Sequence, residues 1–222
     1  PTQEGMFLHF KAIADEADIP IIVYNVPGRT VTDISVETLE RLTKASKRII
    51  GIKDATANMN KASRQRHVLG KSFVMLSGED ATALGFNAHG GVGCISVTSN
   101  VAPRLCAEFQ ELTLKGDFAG ALKLQDRLLP LHDSLFVETN PVPVKYAALR
   151  LGIIESAECR LPMSPVTEAT KKAVDAALSH ARLINAKADA GSSDGEREDV
   201  KVSLASDFSR RRGEVELYDL VA

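Results

Sequence analysis

The 222-residue sequence predicts an α/β fold in which a parallel sheet is followed by an all-helical part. Short segments rich in β-branched residues recur about 20 to 30 residues apart, and segments with helical periodicity lie between them. Beyond Val101 the strand-like segments stop while the helical periodicity continues. Alternating strands and helices are typical of a parallel sheet whose faces are covered by helices.

Each element follows from its own pattern. Apolar residues at spacings of three and four predict helices, and runs of isoleucine and valine predict buried strands. Pro27 and Gly28 predict a loop over residues 26–30. In chain order, the sequence predicts a helix over 5–17, a strand over 21–24, a helix over 35–44, a strand over 48–53, a weak helix over 61–69, a strand over 73–76, a helix over 81–88 capped by Asp80, and a strand over 92–97.

Pattern and composition divide the chain into three regions. Residues 1–115 carry the repeat of strands and helices. Residues 116–186 are predicted to form a helical domain, with helical periodicity over 101–136, 142–151 and 164–185. Residues 187–222 are rich in Gly, Ser, Asp, Glu and Arg without a sustained apolar period, which predicts a flexible tail.

Charge and cysteine content exclude several classes of protein. The formal net charge is −2, so no basic field favours nucleic acid. Three distant cysteines without a C-x-x-C pair favour reduced thiols in the cytoplasm. No apolar run approaches the ~20 residues of a membrane span. The chain begins at Pro1 rather than at methionine, so we expect it to be a fragment.

A lysine at the end of the most apolar predicted strand is the first candidate for chemistry. The segment 48–53 runs through three isoleucines and stops at Lys53. A half-buried lysine can act as a nucleophile that forms a Schiff base with a ketone. The preceding strand ends at Tyr24, whose phenol can carry protons beside such an amine. The alternatives are a lysine that points into water and a rim tyrosine with its ring in the core.

Three further positions lie toward or beyond the carboxyl ends of predicted strands, where parallel α/β folds place their sites. Arg29 has a planar fork that suits a carboxylate, although a surface arginine is an equal alternative. Gly78 and Ile95 are the other two candidate site residues at these strand ends. Glycines 90, 91 and 93 precede a strand rather than follow one, which excludes a dinucleotide-binding loop. The five histidines form no H-x-x-H pair, which favours amine chemistry over metal chemistry for carbon–carbon bonds.

Several motifs resemble the dihydrodipicolinate synthase family, in order and spacing from Pro1 to about Asn185. They are Pro-Thr-Gln-Glu-Gly at 1–5, Tyr-Asn-Val-Pro-Gly-Arg-Thr at 24–30, Gly-Ile-Lys-Asp-Ala-Thr at 51–56, Leu-Ser-Gly-Glu-Asp at 76–80, Gly-Cys-Ile-Ser-Val at 93–97 and Phe-Val-Glu-Thr-Asn-Pro at 136–141. The resemblance implies the C-terminal half of a (β/α)8 TIM barrel, with four parallel βα units in residues 1–115, then the helical domain.

The resemblance also implies a function. The family is a cytoplasmic lyase of the aldolase type, usually a homotetramer, which condenses pyruvate with aspartate semialdehyde to 4-hydroxy-tetrahydrodipicolinate in lysine and diaminopimelate biosynthesis. Lys53 would form the Schiff base with pyruvate, and Tyr24 would relay protons. Arg29 would bind the semialdehyde carboxylate, while Gly78 and Ile95 would line the pyruvate pocket. No cofactor, metal, nucleic acid or membrane is implied.

Two other functions stay open at this point. N-acetylneuraminate lyase and related sugar-acid lyases of the same superfamily share the tyrosine and the lysine, but they usually lack an arginine at the position of Arg29. A non-catalytic fragment is the third possibility. The family's barrel begins about a hundred residues earlier, and the missing part would hold a relay threonine and a second tyrosine from a neighbouring subunit. Residues 187–222 match nothing in the family.

Overall fold

The computed structural model describes residues 1–184, and the predicted tail over 187–222 lies outside them. These residues form a three-stranded sheet and nine α-helices, with one 3-10 turn at Thr98–Asn100. The strands are β1 (Ile21–Asn25), β2 (Ile49–Asp54) and β3 (Val74–Ser77). The helices are α1 (Gln3–Glu16), α2 (Pro27–Thr30), α3 (Val36–Ala45), α4 (Met59–Leu69), α5 (Ala83–Ala88), α6 (Pro103–Leu114), α7 (Phe118–Ser134), α8 (Val142–Arg150) and α9 (Glu168–His180).

The chain forms two compact units. Within the described residues, the first contains residues 1–99 and 104–126, and the second contains residues 100–103 and 127–184. The division falls within α7, whereas the sequence predicts a domain boundary after residue 115. The boundary between a barrel part over 1–115 and a helical domain over 116–186 stays a prediction.

The sheet is parallel, with the order β1-β2-β3, as the alternation of strands and helices predicts. Tyr24 of β1 pairs with Lys53 of β2, which pairs with Leu76 of β3. The register shifts near the start of β2, because Ile21 pairs with Ile49 but Ile22 pairs with Gly51. One residue, Ile50, is therefore left without a partner on β1, as in a β-bulge.

The predicted fourth strand over 92–97 is wrong as a full strand. In the described chain it is reduced to one isolated parallel bridge, between Ser77 and Cys94. Three backbone hydrogen bonds of 2.9 Å still join this segment to β3, from Val92 N–H to the Met75 oxygen, from Ser77 N–H to the Gly93 oxygen and from Ile95 N–H to the Ser77 oxygen. The pairing does not continue past Ile95, because the N–H groups of Val97 and Thr98 donate to the Asp80 carboxylate instead of to a strand. Residues 92–95 nevertheless run alongside β3 in parallel orientation.

One face of the sheet packs against helices. Val23, Ile52 and Met75 point to this side and belong to one buried apolar cluster. Helix α3 contributes Leu39 and Leu42 to the same cluster. Ser35 precedes the helix as its N-cap, and its hydroxyl accepts a 3.1 Å hydrogen bond from the Thr38 N–H. Burial of these apolar side chains is the main stabilising contribution in the first unit.

The helix cap predicted for Asp80 is wrong. The carboxylate that accepts hydrogen bonds at the start of this region belongs to Glu79, from the N–H groups of Ala81 (3.1 Å) and Thr82 (2.8 Å). The Asp80 carboxylate instead accepts from the N–H groups of Val97 (2.9 Å) and Thr98 (3.2 Å). Two adjacent acidic residues follow β3, and the sequence pattern alone does not tell which one turns back toward the helix.

The second unit carries its own polar contacts between helices. On α8 and α9, the Asp175 carboxylate accepts hydrogen bonds from the Arg150 Nε (2.9 Å) and the Tyr146 hydroxyl (3.2 Å). Burial and the neighbouring Asp175 charge raise the pKa of Tyr146 to about 12. The Glu138 carboxylate accepts from the Thr167 N–H at the start of α9. No helix within residues 1–184 is long and apolar enough to cross a membrane.

The loop predicted over residues 26–30 contains one helical turn, α2, which ends in a strained residue. Val31 has φ 54° and ψ 24°, a left-handed conformation that costs a β-branched residue roughly 1–2 kcal/mol. Its side chain is 92% exposed, so no burial offsets the strain. We expect Val31→Asn to raise the free energy of unfolding by about 1 kcal/mol, because asparagine tolerates this conformation. Urea denaturation measures it.

The control for this prediction is Val68→Asn, an exposed position on the regular helix α4. There the same exchange relieves no strain and should not stabilise. An equal gain in both variants would contradict the role of the backbone conformation at Val31.

Candidate functional site

Tyr24 and Lys53 meet at the ends of neighbouring strands. They are paired across β1 and β2, and paired residues of adjacent strands point to the same face of the sheet. The Lys53 Nζ lies 3.9 Å from the centroid of the Tyr24 ring, within the range of a cation–π contact. Tyr24 is 47% exposed, and Lys53 is half-buried. The structure thus brings a phenol and an amine together on the face opposite the helical core.

Gly78 lies against the stem of Lys53. The Gly78 N–H donates a 2.8 Å hydrogen bond to the main-chain oxygen of Asp54, which holds Gly78 beside the end of β2. A β-carbon at Gly78 would lie 3.2 Å from the Lys53 Cε and 2.8 Å from the Ala55 Cβ. The absence of a side chain at Gly78 therefore leaves the room in which the lysine stem lies.

Ile95 and Arg29 flank this pair differently. Ile95 is attached to the end of β3 by its N–H, which donates to the Ser77 oxygen at 2.9 Å, and its side chain is exposed. Arg29 lies in α2, which follows β1, and it is exposed. Within residues 1–184 its guanidinium takes part in no ion pair or hydrogen bond. It is therefore available to an anion, while its predicted contact with substrate stays a prediction.

The fit of Gly78 against Lys53 leads to a test. We expect Gly78→Ala to slow any reaction of the Lys53 amine by about tenfold or more, since the added methyl displaces the stem and a misplacement of ~1 Å can cost 10²-fold. Gly28→Ala is the matched control, because a β-carbon there meets nothing within 4 Å. The rate of adduct formation with a small ketone acid and borohydride measures the effect. Equal rates in the two variants would contradict the proposed fit.

Two polar residues directly follow the site residues in their strands and point the other way. Asn25 and Asp54 are 4% and 3% exposed and face the helices. Asp54 accepts hydrogen bonds from the Thr56 N–H (2.9 Å) and the Gln65 Nε2 (2.7 Å). This buried polar layer was not predicted from the sequence. Its signal was the weak apolar pattern over 61–69, where buried polar residues, Lys61 and Gln65, replace part of the apolar stripe.

The cysteines near the site are unsuited to nucleophilic chemistry. Burial, assisted by the negative charge of Asp80, raises the pKa of Cys106 to about 12 and raises that of Cys94 further. Both thiols are therefore neutral near pH 7, whereas the thiolate is the nucleophile. Within residues 1–184, no three His, Cys, Asp or Glu side chains come together as a metal site.

These raised pKa values predict a loss of stability in alkali. The folded thiol pKa lies above the ordinary value of 9.0, so the stabilising effect of the neutral thiol is complete below pH 9 and is lost as the pH rises toward 12. We expect each thiol to lower the free energy of unfolding by up to ~1.4 kcal/mol per pH unit above 9. Chemical denaturation of the Cys94→Ala/Cys106→Ala variant beside the unchanged protein isolates this contribution. Parallel pH profiles of the two proteins would contradict it.

Comparisons with known proteins identify the family of this chain. The model of the Dihydrodipicolinate synthetase family matches residues 1–181. A 4-hydroxy-tetrahydrodipicolinate synthase of Methylobacterium radiotolerans is 61% identical over 184 residues, which cover 83% of this chain and 61% of the relative. The chain thus spans about three fifths of the length of that relative.

Solved structures give the same picture for the fold. The dihydrodipicolinate synthase of Aquifex aeolicus has a TM-score of 0.80 and 42% identity over 82% of this chain and 62% of its own. The enzyme of Acinetobacter baumannii complexed with pyruvate has a TM-score of 0.79 and 39% identity, with 83% and 62% coverage. A monomeric dihydrodipicolinate synthase variant has a TM-score of 0.79 and 37% identity, with the same coverage. The likeness supports a TIM-barrel fold with a C-terminal helical domain, and the chain belongs to the dihydrodipicolinate synthetase family.

Proposed function

We propose that Lys53 is the Schiff-base nucleophile in an aldol condensation of pyruvate with L-aspartate 4-semialdehyde. The product would be 4-hydroxy-tetrahydrodipicolinate, in lysine and diaminopimelate biosynthesis. One observation carries the proposal: the Lys53 amine lies 3.9 Å over the Tyr24 ring at neighbouring strand ends, in a chain of this family. An amine and a phenol at this edge are the groups that imine chemistry needs.

The reaction begins at the keto carbon of pyruvate. The neutral Lys53 amine attacks that carbon and gives a carbinolamine, which loses water to form an imine. Loss of a proton from the methyl group then gives an enamine, whose carbon attacks the aldehyde carbon of the semialdehyde. The semialdehyde's own amine displaces Lys53 from the imine carbon and closes the ring, which frees the lysine. Each step moves a proton, and no electron acceptor, metal or cofactor takes part.

The other site residues have separate tasks in this scheme. Tyr24 carries protons to and from the carbinolamine oxygen and the aldehyde oxygen, because its phenol stands beside the amine. Arg29 binds the semialdehyde carboxylate with its free guanidinium. Gly78 and Ile95 line the pyruvate pocket with main-chain groups, and Gly78 also leaves space for the lysine stem.

The proposal extends to the whole fold and assembly. The described α/β unit corresponds to the C-terminal half of a (β/α)8 barrel, followed by the helical domain. A cytoplasmic homotetramer is the assembly that the family suggests, although one similar structure is a monomeric variant. The complex of pyruvate with the Acinetobacter enzyme supports pyruvate as the first substrate.

Reductive trapping tests the proposal directly. The chain is incubated with pyruvate and borohydride, and its peptides are mapped by mass spectrometry. We expect one reduced pyruvate adduct, on the peptide that contains Lys53. A chain that carries a reduced pyruvate adduct elsewhere, but none on the peptide that contains Lys53, would overturn the assignment. Turnover of N-acetylneuraminate without turnover of aspartate semialdehyde would instead identify a sugar-acid lyase, against which Arg29 argues.

A further inference from the structure

Helix α4 (Met59–Leu69) places two polar side chains beneath the site. Lys61 and Gln65 are four residues apart, so they lie on the same face of the helix. Lys61 is 9% exposed and Gln65 is fully buried. Amphipathic helices normally bury apolar residues on such a face, so these two side chains need a specific reason to be there.

Gln65 holds the end of β2. Its Nε2 donates a 2.7 Å hydrogen bond to the Asp54 Oδ2, while the other carboxylate oxygen accepts from the Thr56 N–H at 2.9 Å. Asp54 immediately follows Lys53. Because successive side chains in a strand point to opposite faces, fixing the Asp54 carboxylate also fixes the direction of Lys53.

Lys61 holds the end of β1 through one intermediate residue. Its ammonium forms an ion pair with the Asp33 carboxylate. The same carboxylate oxygen accepts a 2.8 Å hydrogen bond from the Asn25 Nδ2, and the Asn25 Oδ1 accepts from the Ile34 N–H at 3.1 Å. Asn25 immediately follows Tyr24, so this second connection fixes the phenol in the same way.

We propose that α4 is the positioning element of the site, with Gln65 acting through Asp54 on Lys53 and Lys61 acting through Asp33 and Asn25 on Tyr24. This inference rests on the proposed function for its catalytic consequence. Stability alone does not account for the arrangement, because buried charged groups are often replaced by apolar residues without loss. What the polar contacts add is direction, because two strand ends are tied to one helix. The residues just before those ends are Tyr24 and Lys53, and the Lys53 Nζ lies 3.9 Å from the centroid of the Tyr24 ring.

The test is Gln65→Met, which keeps the length of the side chain and removes its donor. The matched control is Gln110→Met on α6, which removes a glutamine that bonds to Asn87 and leaves the strand ends untouched. Thermal melting establishes that each variant folds. NMR of selectively labelled lysine then reports the upfield ring-current shift that the Tyr24 ring imposes on the Lys53 side chain, with Tyr24→Leu as the reference without a ring.

We expect folded Gln65→Met to lose this shift and to trap pyruvate about 10- to 100-fold more slowly, since small misplacements of reacting groups have effects of this size. Gln110→Met should retain both. A folded Gln65→Met with an unchanged Lys53 shift would overturn the inference.

A second variant keeps the inference testable if Gln65→Met does not fold. In Lys61→Met the side chain of Asp33, which is 51% exposed, can be solvated by water. We expect the ring-current shift to fall in Lys61→Met and to return in Lys61→Arg, and an unchanged shift in Lys61→Met would overturn the inference. The NMR result does not depend on turnover. A third outcome separates the two proposals. If the unchanged chain shows the ring-current shift and Gln65→Met loses it, but the unchanged chain does not trap pyruvate, the proposed function is refuted and the positioning role of α4 stands.

Discussion

Replacement of Lys53 by methionine is expected to abolish the pyruvate adduct completely. Methionine keeps an unbranched stem of similar volume beside Gly78, but it has no amine to attack the keto carbon. Any turnover that the chain supports should fall by on the order of 10⁴-fold or more, as when other enzymes lose their nucleophile. Mass spectrometry after borohydride reduction and a coupled assay of product formation measure the two effects.

The control for this variant is Lys44→Met. Lys44 pairs with Glu40 on the surface of α3, where its side chain is 73% exposed, so its removal should change neither labelling nor turnover. The Lys53 variant should also keep its stability within ~1.5 kcal/mol, because the exchange conserves volume. Adduct formation on another lysine of the Lys53→Met protein, at the unchanged rate, would contradict the assignment of the nucleophile.

Replacement of Gly51 by alanine is expected to be the most destabilising single change in the sheet. A β-carbon at Gly51 would lie 2.5 Å from the Val74 carbonyl oxygen and 2.8 Å from the Val74 Cβ, so β2 and β3 must move apart. Overpacking of this kind costs about 1–3 kcal/mol and more where backbone blocks relaxation. We therefore expect a loss of at least about 3 kcal/mol in the free energy of unfolding, measured by urea denaturation.

Two comparisons sharpen the prediction for Gly51. Gly28→Ala adds the same methyl where nothing lies within 4 Å, and it should leave stability nearly unchanged. Separation of β2 from β3 also disturbs the pairing of Lys53 with Leu76, so pyruvate trapping should decline in the fraction that stays folded. A Gly51→Ala protein as stable as the Gly28→Ala protein would mean that the two strands have room that the structure does not show.

The elements that the sequence predicts well are those with a strong local pattern. The short apolar segments over 21–24 and 73–76 predict β1 and β3 to within one residue, and the apolar spacing over 35–44 predicts helix α3. The end of β2 is predicted because an apolar run stops at Lys53. The meeting of Lys53 with Tyr24 follows from the general rule that parallel strands end at one edge.

Other features depend on contacts between distant residues, which local patterns do not carry. The buried polar face of α4 weakens the apolar period that marks a helix. The local pattern also gives no sign that Gln65 binds Asp54, which lies in a different element. The partners of the Asp80 carboxylate are the N–H groups of Val97 and Thr98, so its failure to cap the following helix depends on where residues 97 and 98 lie. The short pairing of residues 92–95 with β3 depends on Asp80, whose carboxylate binds the N–H groups of Val97 and Thr98.

The unpaired residue near the start of β2 decides which way the lysine points. Counted strictly by alternation, Lys53 shares a side with Ile49, and Ile49 belongs to the apolar cluster under the helices. The extra residue, Ile50, reverses that parity, so Ile52 and Asp54 face the helices and Lys53 faces Tyr24. A deletion of this single codon would exchange the two sides of the remainder of β2, which would place the Lys53 ammonium among the buried apolar side chains and the Asp54 carboxylate beside the Tyr24 phenol. The face on which Lys53 lies thus depends on the number of residues before it in β2 and not on which hydrophobic residue occupies position 50.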